Sequence, residues 1–292
     1  AVEGLQALLP SAGTPAVDAG FTVTAEGGAI TPARAGTACC EAEPAARAVL
    51  AALRDDASTP VELPLRTVAP RRTDDAASRL GIREVVATFS TPHKCCEPRV
   101  RNIHRIADLV RGMVIEPGQT FSVNTAVGRR TAAKGFVDAP VIANGRMASD
   151  VGGGVSQFAT TLFNAAWFAG LGFGEYQSHS LYISRYPYGR DATLGFPNPD
   201  LQIKNTTPHG VLIWPTYTGT TLTVTLYSTK VYASVTMSNQ TRRPQGTCTS
   251  VTSERTRVGL DGKTTVDRTS ARYRAEEGLN CDGSRTAQQP AD

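Results

Sequence analysis

The chain has 292 residues and an ordinary globular composition, with 40% hydrophobic and 19% charged residues and a formal net charge of +4. This modest charge, without a dense Lys/Arg tract among aromatic residues, argues against nucleic-acid binding. The sequence has no run of about 18 apolar residues, so it predicts no membrane-spanning helix, although anchoring by a segment outside this sequence remains open. The length allows two compact domains, or one domain with extensions.

Six cysteines form two adjacent pairs and one distant C-terminal couple. They are Cys39, Cys40, Cys95, Cys96, Cys248 and Cys281. The grouping predicts disulfides between the first two regions and a further bond from Cys248 to Cys281. Disulfides favour an oxidising, extracytoplasmic compartment. The alternative is a zinc site formed by His93 and the four N-terminal cysteines, which the C-C spacing disfavours, so we expect neither a metal nor another cofactor.

Residues 1–83 are predicted to form a small α/β module. Its expected elements are two short strands around Glu26, a helix at Glu41–Leu53, an edge strand at Val61–Val68 and a helix at Asp74–Leu80. No catalytic constellation stands out in this part of the chain. A spacer or a binding module is therefore expected.

Residues 84–228 are predicted to form a β-rich domain around one buried helix, which gives an α+β protein overall. The expected strands are Glu84–Phe89, Thr120–Asn124, Val127–Thr131, Gly135–Ile142, His179–Ser184, Asp200–Asn205, Gly210–Trp214 and Thr221–Tyr227. An amphipathic helix is expected at Val100–Val114. Arginines lie off its apolar stripe, at Arg99, Arg101, Arg105 and Arg111. A solvated helix face is the expected role for them, and contact with an acidic polymer is the alternative.

Three consecutive glycines, Gly152, Gly153 and Gly154, lead into the expected buried helix, which continues to about Gly170. Apolar residues surround this segment almost completely, as is typical of a buried helix. A glycine turn before a helix places free backbone N–H groups and small polar side chains at one point. This arrangement suits anion binding and nucleophile activation, and it is also common in plain packing.

Residues 229–292 are polar and charged, so they predict a C-terminal extension with little core of its own. Cys248 and Cys281 are expected to staple a hairpin there. Disorder is expected from about Ser284 onward.

The order of several motifs resembles the VanW family over roughly residues 84–228. The motifs that carry the resemblance are Pro117–Asn124, Val127–Gly128, Gly152–Gln157, Thr160–Asn164, His179–Ser180, Gly189–Thr193, Asp200–Leu201 and Asn205. The resemblance implies an envelope location and a link to peptidoglycan, and it supplies no reaction. Many family members have a cysteine where this chain has Ser156.

The N-terminal module resembles the peptidoglycan-binding domain that often precedes this family in envelope proteins. The residues behind this resemblance are Pro32, the turn at Gly36, Pro70 with Thr73, and the Leu80–Gly81 step.

A catalytic hypothesis follows from the residue types in the matching motifs. Ser156 is the nucleophile, His179 the base and Asp191 the orienting carboxylate, while N–H groups of the glycine turn bind an oxyanion. The chain would then be a cell-wall hydrolase or transferase. A second enzymatic alternative uses two carboxylates in glycan cleavage, either Glu175 with Asp191 or Asp150 with Asp191.

The binding hypothesis assigns the same region to packing and ligand recognition, with peptidoglycan or a muropeptide as the partner. The expected ligand-binding residues are Gly152, Gly153, Gly154, Gln157, Thr160, Thr161 and Arg190, with Tyr182, Tyr186 and Tyr188 as stacking faces. We favour binding over catalysis, mainly because a serine hydroxyl at position 156 needs stronger base assistance than a thiol. The predicted protein is extracytoplasmic, in the cell wall, membrane-tethered or secreted.

Overall fold

The computed structural model describes residues 12–54, 60–143 and 146–286, together with Gly4. Helices and strands are mixed, with a β-rich C-terminal region, so the predicted α+β class is confirmed. The described residues fall into two compact units. One is drawn from positions up to Val23 and from Ala29–Arg79, and the other from Thr24–Gly28 and from Leu80 onward.

The first unit contains most of the following short elements, while the end of β1 and the start of β2 belong to Thr24–Gly28 of the second unit. Strands β1 (Gly20–Thr24) and β2 (Gly27–Thr31) pair as a hairpin, and β3 (Gly36–Cys39) pairs antiparallel with β4 (Leu65–Val68). The helices are α1 (Ala42–Arg54) and α2 (Asp74–Arg79), and the Thr73 hydroxyl caps α2 by accepting from the Ala76 N–H. The expected strand at Val61–Val68 is shorter than predicted, because ladder pairing begins only after Pro64, which has no N–H to donate.

The second unit is built on a four-stranded antiparallel sheet in the order β5-β13-β12-β6. These strands are β5 (Glu84–Pro92), β6 (Val114–Ile115), β12 (Val211–Tyr217) and β13 (Thr221–Ser228). A second sheet has the order β10-β11-β7, with β7 (Thr120–Ser122), β10 (Gly172–Phe173) and β11 (Gln202–Lys204). A hairpin joins β8 (Asp138–Ala143) to β9 (Arg146–Val151).

The helices of this unit are α3 (Pro98–Val110), α4 (Val123–Val127), a 3₁₀ turn (Ala132–Lys134) and α5 (Ser156–Phe168). The predicted buried helix is α5, in which eleven of thirteen residues are buried. Phe158, Leu162 and Trp167 on this helix are completely enclosed, and each such side chain contributes about 1.5–3 kcal/mol. Helix α5 is therefore the centre of the hydrophobic core. No helix in the described ranges is long and apolar enough to cross a bilayer.

Two predicted strands are wrong. Residues 127–131 do not pair, because α4 ends at Val127 and the next residue, Gly128, has a φ of 70° that favours glycine and turns the chain. His179–Ser184 forms a loop whose contacts are made by side chains and by single backbone hydrogen bonds, such as the Arg274 N–H to the Ser180 carbonyl at 2.8 Å.

The cysteine pairing needs one correction. The structure pairs Cys39 with Cys40 and Cys95 with Cys96, so the predicted bonds between the two regions are wrong. Each of these two disulfides therefore joins residues that are adjacent in the sequence. The bond between Cys248 and Cys281 is confirmed.

The C-terminal residues form more structure than a stapled hairpin. Strands β14 (Tyr232–Gln245), β15 (Cys248–Gly259) and β16 (Thr264–Tyr273) make a three-stranded antiparallel sheet. Arg255 on β15 is 3% exposed, and its guanidinium donates to the carbonyls of Trp167 and Leu171 at the C-terminal end of α5. A cation at this position complements the helix dipole and gives a second donor to the Trp167 carbonyl, which also accepts from the Gly170 N–H at 3.1 Å.

The disorder expected from Ser284 is not what the described part of that segment shows. Ser284 donates its N–H to the Asp282 carboxylate at 2.9 Å. Residues 287–292, also covered by that prediction, lie outside the described residues.

Candidate functional site

The glycine turn is held by close packing against the backbone. A Cβ on Gly153 would overlap the Ala139 carbonyl oxygen, and Gly152 and Gly154 have φ values of 94° and 95°, which favour glycine. The N–H groups of Gly152 and Gly153 donate to the Val137 and Asp150 carbonyls at 3.0 and 3.1 Å. Two of the N–H groups predicted for an oxyanion hole are therefore already engaged.

One polar face of α5 holds an extended segment of the chain. Ser156, Thr160 and Asn164 are four residues apart, so they lie on the same face of the helix. The Ser156 hydroxyl accepts from the Leu194 N–H at 3.0 Å, and the Thr160 hydroxyl both accepts from the Ala192 N–H at 3.0 Å and donates to its carbonyl at 3.2 Å. Asn164 donates to the Arg190 carbonyl at 2.8 Å. These side chains act as partners for the backbone of residues 190–194.

A second polar face of α5 holds the end of β5. Gln157 is completely buried, and its amide nitrogen donates to the Thr91 hydroxyl and the Pro92 carbonyl, both at 3.0 Å. The Thr161 hydroxyl pairs with that of Thr91 at 2.8 Å. The amide oxygen of Gln157 accepts from Arg99 at 2.9 Å. Gln157 therefore links the glycine turn to the first turn of α3.

The three predicted catalytic residues do not form a hydrogen-bonded triad. Asp191 accepts from the backbone N–H of His179 at 3.1 Å and from the Tyr273 hydroxyl at 2.6 Å, so it does not orient the imidazole ring. The Ser156 hydroxyl is bonded to Leu194, and within the described ranges it makes no hydrogen bond to His179. Asp191 and His179 are close neighbours, and Ser156 takes part in a separate set of contacts.

Burial changes the ionisation of both residues of this neighbouring pair. Burial and then the nearby charge of Arg185 lower the pKa of His179 to about 4, so its imidazole is neutral at pH 7. Burial raises the pKa of Asp191 to about 6, although the hydrogen bonds from Tyr273 and from the His179 N–H act in the opposite direction.

The carboxylates of the second enzymatic hypothesis have structural partners. Glu175 accepts from the Asp200 N–H at 3.1 Å, and Asp150 accepts from the Val151 N–H at 2.7 Å. Asp150 and Glu175 are exposed, whereas Asp191 is buried.

Arg99, Arg185, Tyr186 and His179 form a cationic and aromatic group that we call the arginine cluster. The guanidinium of Arg185 lies 5.2 Å from the centroid of the Tyr186 ring. The His179 ring stacks on the same Tyr186 ring, with 5.7 Å between the two ring centroids. Burial raises the pKa of Tyr186, and the charges of Arg185 and Arg99 act in the opposite direction. The cluster therefore joins α3 to the loop of residues 179–193.

The electrostatics of the arginine cluster favour an anion. Burial lowers the pKa of Arg99, and the charge of Arg185 lowers it further, with Tyr186 and Glu97 acting in the opposite direction. In the part of the chain that the structure describes, neither guanidinium forms an ion pair with a carboxylate. The His179 Nε2 atom is buried and has no hydrogen-bond partner among the described residues.

Arg190, predicted to bind ligand, places its guanidinium at the end of α5 opposite to the glycine turn, and its ligand-binding role stays a prediction. Its guanidinium lies over the Phe168 ring at 5.0 Å, beyond the C-terminal half of α5, and burial lowers its pKa. Its Nε and Nη1 atoms are buried without a partner among the described residues.

Sequence reasoning assigned Arg99 to a solvated helix face, and this expectation is wrong, since the residue is 8% exposed. Its proximity to Gln157 was not readable from helical periodicity. Tyr273 was also missed, because it comes from the extension that was expected to have little core.

Over the described ranges, no group of three or more His, Cys, Asp or Glu side chains is arranged to hold a metal ion.

Comparison with known proteins shows what the region that carries this site is similar to. Residues 98–227 match the family model described as "VanW like protein". An uncharacterized protein of Bacillus subtilis (strain 168), YoaR, is 33% identical over 174 residues, which cover 59% of this chain and 56% of the relative. The Vancomycin B-type resistance protein VanW of Enterococcus faecalis (strain ATCC 700802 / V583) is 28% identical over 127 residues, covering 41% and 46%.

The chain thus spans about half the length of these curated relatives. No solved structure matches. The family match begins at residue 98, so the peptidoglycan-binding module expected at residues 1–83 stays a prediction. Residues 98–227 of this chain are thus similar to VanW-like proteins.

Proposed function

We propose that this chain is a cell-wall-associated, extracytoplasmic protein that binds peptidoglycan or its fragments through the arginine cluster. The observation that carries the proposal is the pair of neighbouring guanidinium groups, Arg99 and Arg185, with no carboxylate ion pair among the described residues. The proposed ligand group is a carboxylate of a peptidoglycan stem peptide.

The physical argument concerns charge and geometry. The like charges of the buried Arg99 and the exposed Arg185 repel each other, and a bound anion relieves this repulsion. Guanidinium groups bind carboxylates with two parallel hydrogen bonds, which gives both strength and orientation. The neutral His179 Nε2 and the Tyr186 ring lie beside this position and offer a polar contact and an apolar face.

Two findings support an envelope location. The bond between Cys248 and Cys281 favours an oxidising compartment. One relative is named as a vancomycin-resistance protein, which supports a role in the cell envelope for this chain.

Catalysis by Ser156, His179 and Asp191 receives less support from the geometry. The nucleophile of such a site must lie within hydrogen-bond reach of its base, and the Ser156 hydroxyl instead accepts the Leu194 N–H. Binding is therefore preferred over hydrolysis or transfer.

Co-sedimentation with purified sacculi tests the proposal. We expect the wild-type chain to be retained and Arg185→Gln to be released, because a hydrogen bond to a charged group contributes about 1.5–3 kcal/mol. Arg185 is exposed, so its replacement leaves the core intact. Arg101→Gln is the matched control, since it removes the same charge from an exposed position of α3.

Equal retention of Arg185→Gln and wild type would contradict the assignment to the arginine cluster. No retention of wild type would contradict peptidoglycan binding as a whole.

A further inference from the structure

The two disulfides between adjacent residues differ in their exposure to solvent. Cys95 and Cys96 are both exposed, as are all residues from 94 to 98. Cys39 and Cys40 form the same kind of bond, but they are 5% and 2% exposed. Access of a thiol to the bond is one condition for thiol–disulfide exchange. In the folded chain, the Cys95–Cys96 bond meets this condition and the Cys39–Cys40 bond does not.

A purely structural role explains the exposed bond poorly. A disulfide stabilises a fold mainly by closing a loop of the unfolded chain, and the effect grows with the length of the loop. Cys248 and Cys281 are 33 positions apart, whereas Cys95 and Cys96 are neighbours. Cys248 is also buried. The Cys95–Cys96 bond therefore contributes little to stability by loop closure, which leaves a chemical role as the better explanation.

The loop that carries this pair can open while its two ends stay in place. Before the pair, the buried His93 donates its N–H to the Thr220 carbonyl at 2.8 Å. After the pair, the buried Arg99 donates to the amide oxygen of Gln157 at 2.9 Å. The two cysteines themselves make no backbone-to-backbone hydrogen bond with another described residue. Cleavage of their bond therefore leaves β5 and α3 anchored.

The backbone of Cys96 also favours opening of the bond. Its φ is 71°, in the left-handed region that residues with a Cβ rarely adopt. Among the described residues, it is the single residue other than glycine with a positive φ. Once the bond is broken, Cys96 is no longer tied to its neighbour and is free to adopt an ordinary φ.

We propose that Cys95 and Cys96 are a redox-active pair that accepts electrons from a dithiol of a partner protein. A thiolate of the partner attacks the Cys95 sulfur and forms a mixed disulfide, while the Cys95–Cys96 bond breaks and Cys96 leaves as a thiolate that takes up a proton. The second thiol of the partner then loses its proton and attacks the partner's own sulfur in the mixed disulfide, which forms the partner's disulfide and releases Cys95 to be protonated. The pair thus gains two electrons and two protons, which the partner's dithiol loses.

The position of Cys96 suits the leaving thiolate. It directly precedes Glu97, the N-cap residue of α3, and the first turn of this helix has no acidic residue. The positive end of a helix dipole lowers the pKa of a nearby thiol, and a thiol of lower pKa leaves faster. Lys94 and Glu97 flank the pair with opposite charges, so their effects largely offset each other. No step needs a bound ligand, so the proposal is independent of peptidoglycan binding.

Timed reduction of the folded chain with dithiothreitol, a dithiol probe, tests the proposal. Samples are quenched with acid, new thiols are alkylated, and the labelled peptides are quantified by mass spectrometry. We expect Cys95 and Cys96 to be labelled at least about tenfold faster than Cys39 and Cys40, because access limits the exchange. In concentrated guanidinium chloride the two adjacent pairs should react at similar rates, since burial no longer separates them. Equal rates in the folded chain would overturn the proposal.

A monothiol locates the first attack. Under the same conditions, we expect glutathione to form its mixed disulfide on Cys95, where fragmentation of the labelled peptide identifies it. A mixed disulfide on Cys96 would overturn the assigned roles.

Two double variants separate exchange from folding. We expect Cys95→Ser combined with Cys96→Ser to lose the rapid phase of dithiothreitol oxidation and to keep the denaturation midpoint of the wild type. Cys39→Ser combined with Cys40→Ser is the matched control, because it removes the same kind of bond from a buried position and should keep the rapid phase. A lower midpoint of the first variant would show that its bond is structural, and a rapid phase that persists would show that exchange occurs elsewhere. Either result overturns the proposal.

Discussion

The polar face of α5 and the arginine cluster both contain buried polar side chains, but they differ in how far the chain itself pairs those groups, and on the α5 face the Asn164 Oδ1 atom is the exception among the described residues. Ser156, Thr160 and Asn164 use their side chains to hold residues 190–194. The arginine cluster instead keeps two neighbouring cations and the unpartnered His179 Nε2. Residues whose hydrogen bonds are filled by the chain itself stabilise the fold, and residues left unpaired are better candidates for binding.

The largest expected effect concerns the glycine turn that begins the satisfied face. Gly153→Ala places a Cβ against the Ala139 carbonyl, so the backbone must move, and the free energy of unfolding should fall by about 3 kcal/mol or more. Chemical denaturation measures this value. Gly219→Ala is the control, since its Cβ meets nothing within 4 Å, and it should change stability by less than about 0.5 kcal/mol. Similar effects of the two changes would show that the turn is not closely packed.

The next largest effect is a dependence of the free energy of unfolding on pH. In the wild type, the opposite contributions of His179 and Asp191 conceal this dependence. The folded pKa of His179 is lowered to about 4, so its contribution to stability is lost as pH falls from about 6.5 to 4. The folded pKa of Asp191 is raised to about 6, so its contribution has the opposite sign, and stability falls as pH rises from about 4 to 6. The two contributions largely cancel between pH 4 and 6.

Asp191→Asn should expose the histidine contribution, so that stability rises with pH by up to about 1.4 kcal/mol per unit in this interval. His179→Gln should give a slope of opposite sign. Denaturant unfolding at a series of pH values measures both slopes. The same slope in both variants would show that these two residues do not titrate as a buried pair.

Thr160→Val should have an intermediate effect on the satisfied face. It leaves the Ala192 N–H and carbonyl without their side-chain partner in a buried place, at a cost of about 2 kcal/mol. Thr223→Val is the control, because the hydroxyl it removes pairs with Ser90 on an exposed face. If Thr160→Val were as stable as this control, the α5 contacts would not hold the segment.

Sequence predicted the helix in this comparison and missed the cluster. Periodicity identified α5 as buried because apolar residues surround it. Arg99 was assigned to solvent because its burial depends on Gln157, which is 58 residues away. The alternating sequence pattern at residues 179–184 reflects side chains that are buried to different extents. The backbone of this segment bonds to residues distant in the sequence, such as Arg274, so no local pattern can distinguish this loop from a strand.

The C-terminal extension gives the same lesson. Its polar composition predicted little burial, yet Arg255 is buried because it binds carbonyls at the end of α5, 88 residues earlier in the chain. A charged residue in a sequence does not reveal such a partner. The disulfide between Cys248 and Cys281 was predictable from the cysteine grouping, whereas the three-stranded sheet it closes was not.

Ser156→Ala should have the smallest effect. The Leu194 N–H loses its partner in a partly buried place, which lowers stability by about 1 kcal/mol, and retention on sacculi should stay at the wild-type level. Denaturation and co-sedimentation of the same preparation measure both quantities. A loss of peptidoglycan cleavage or binding at unchanged stability would instead support a catalytic or ligand-contacting serine.

Calorimetric titration with a muropeptide measures carboxylate recognition by the arginine cluster. We expect a muropeptide with free carboxylates to bind the wild-type chain, and amidation of those carboxylates to weaken binding by at least about tenfold, equal to about 1.4 kcal/mol. We expect Arg185→Gln to bind both forms equally weakly. Equal affinity of the wild-type chain for the free and the amidated muropeptide would contradict carboxylate recognition by the arginine cluster.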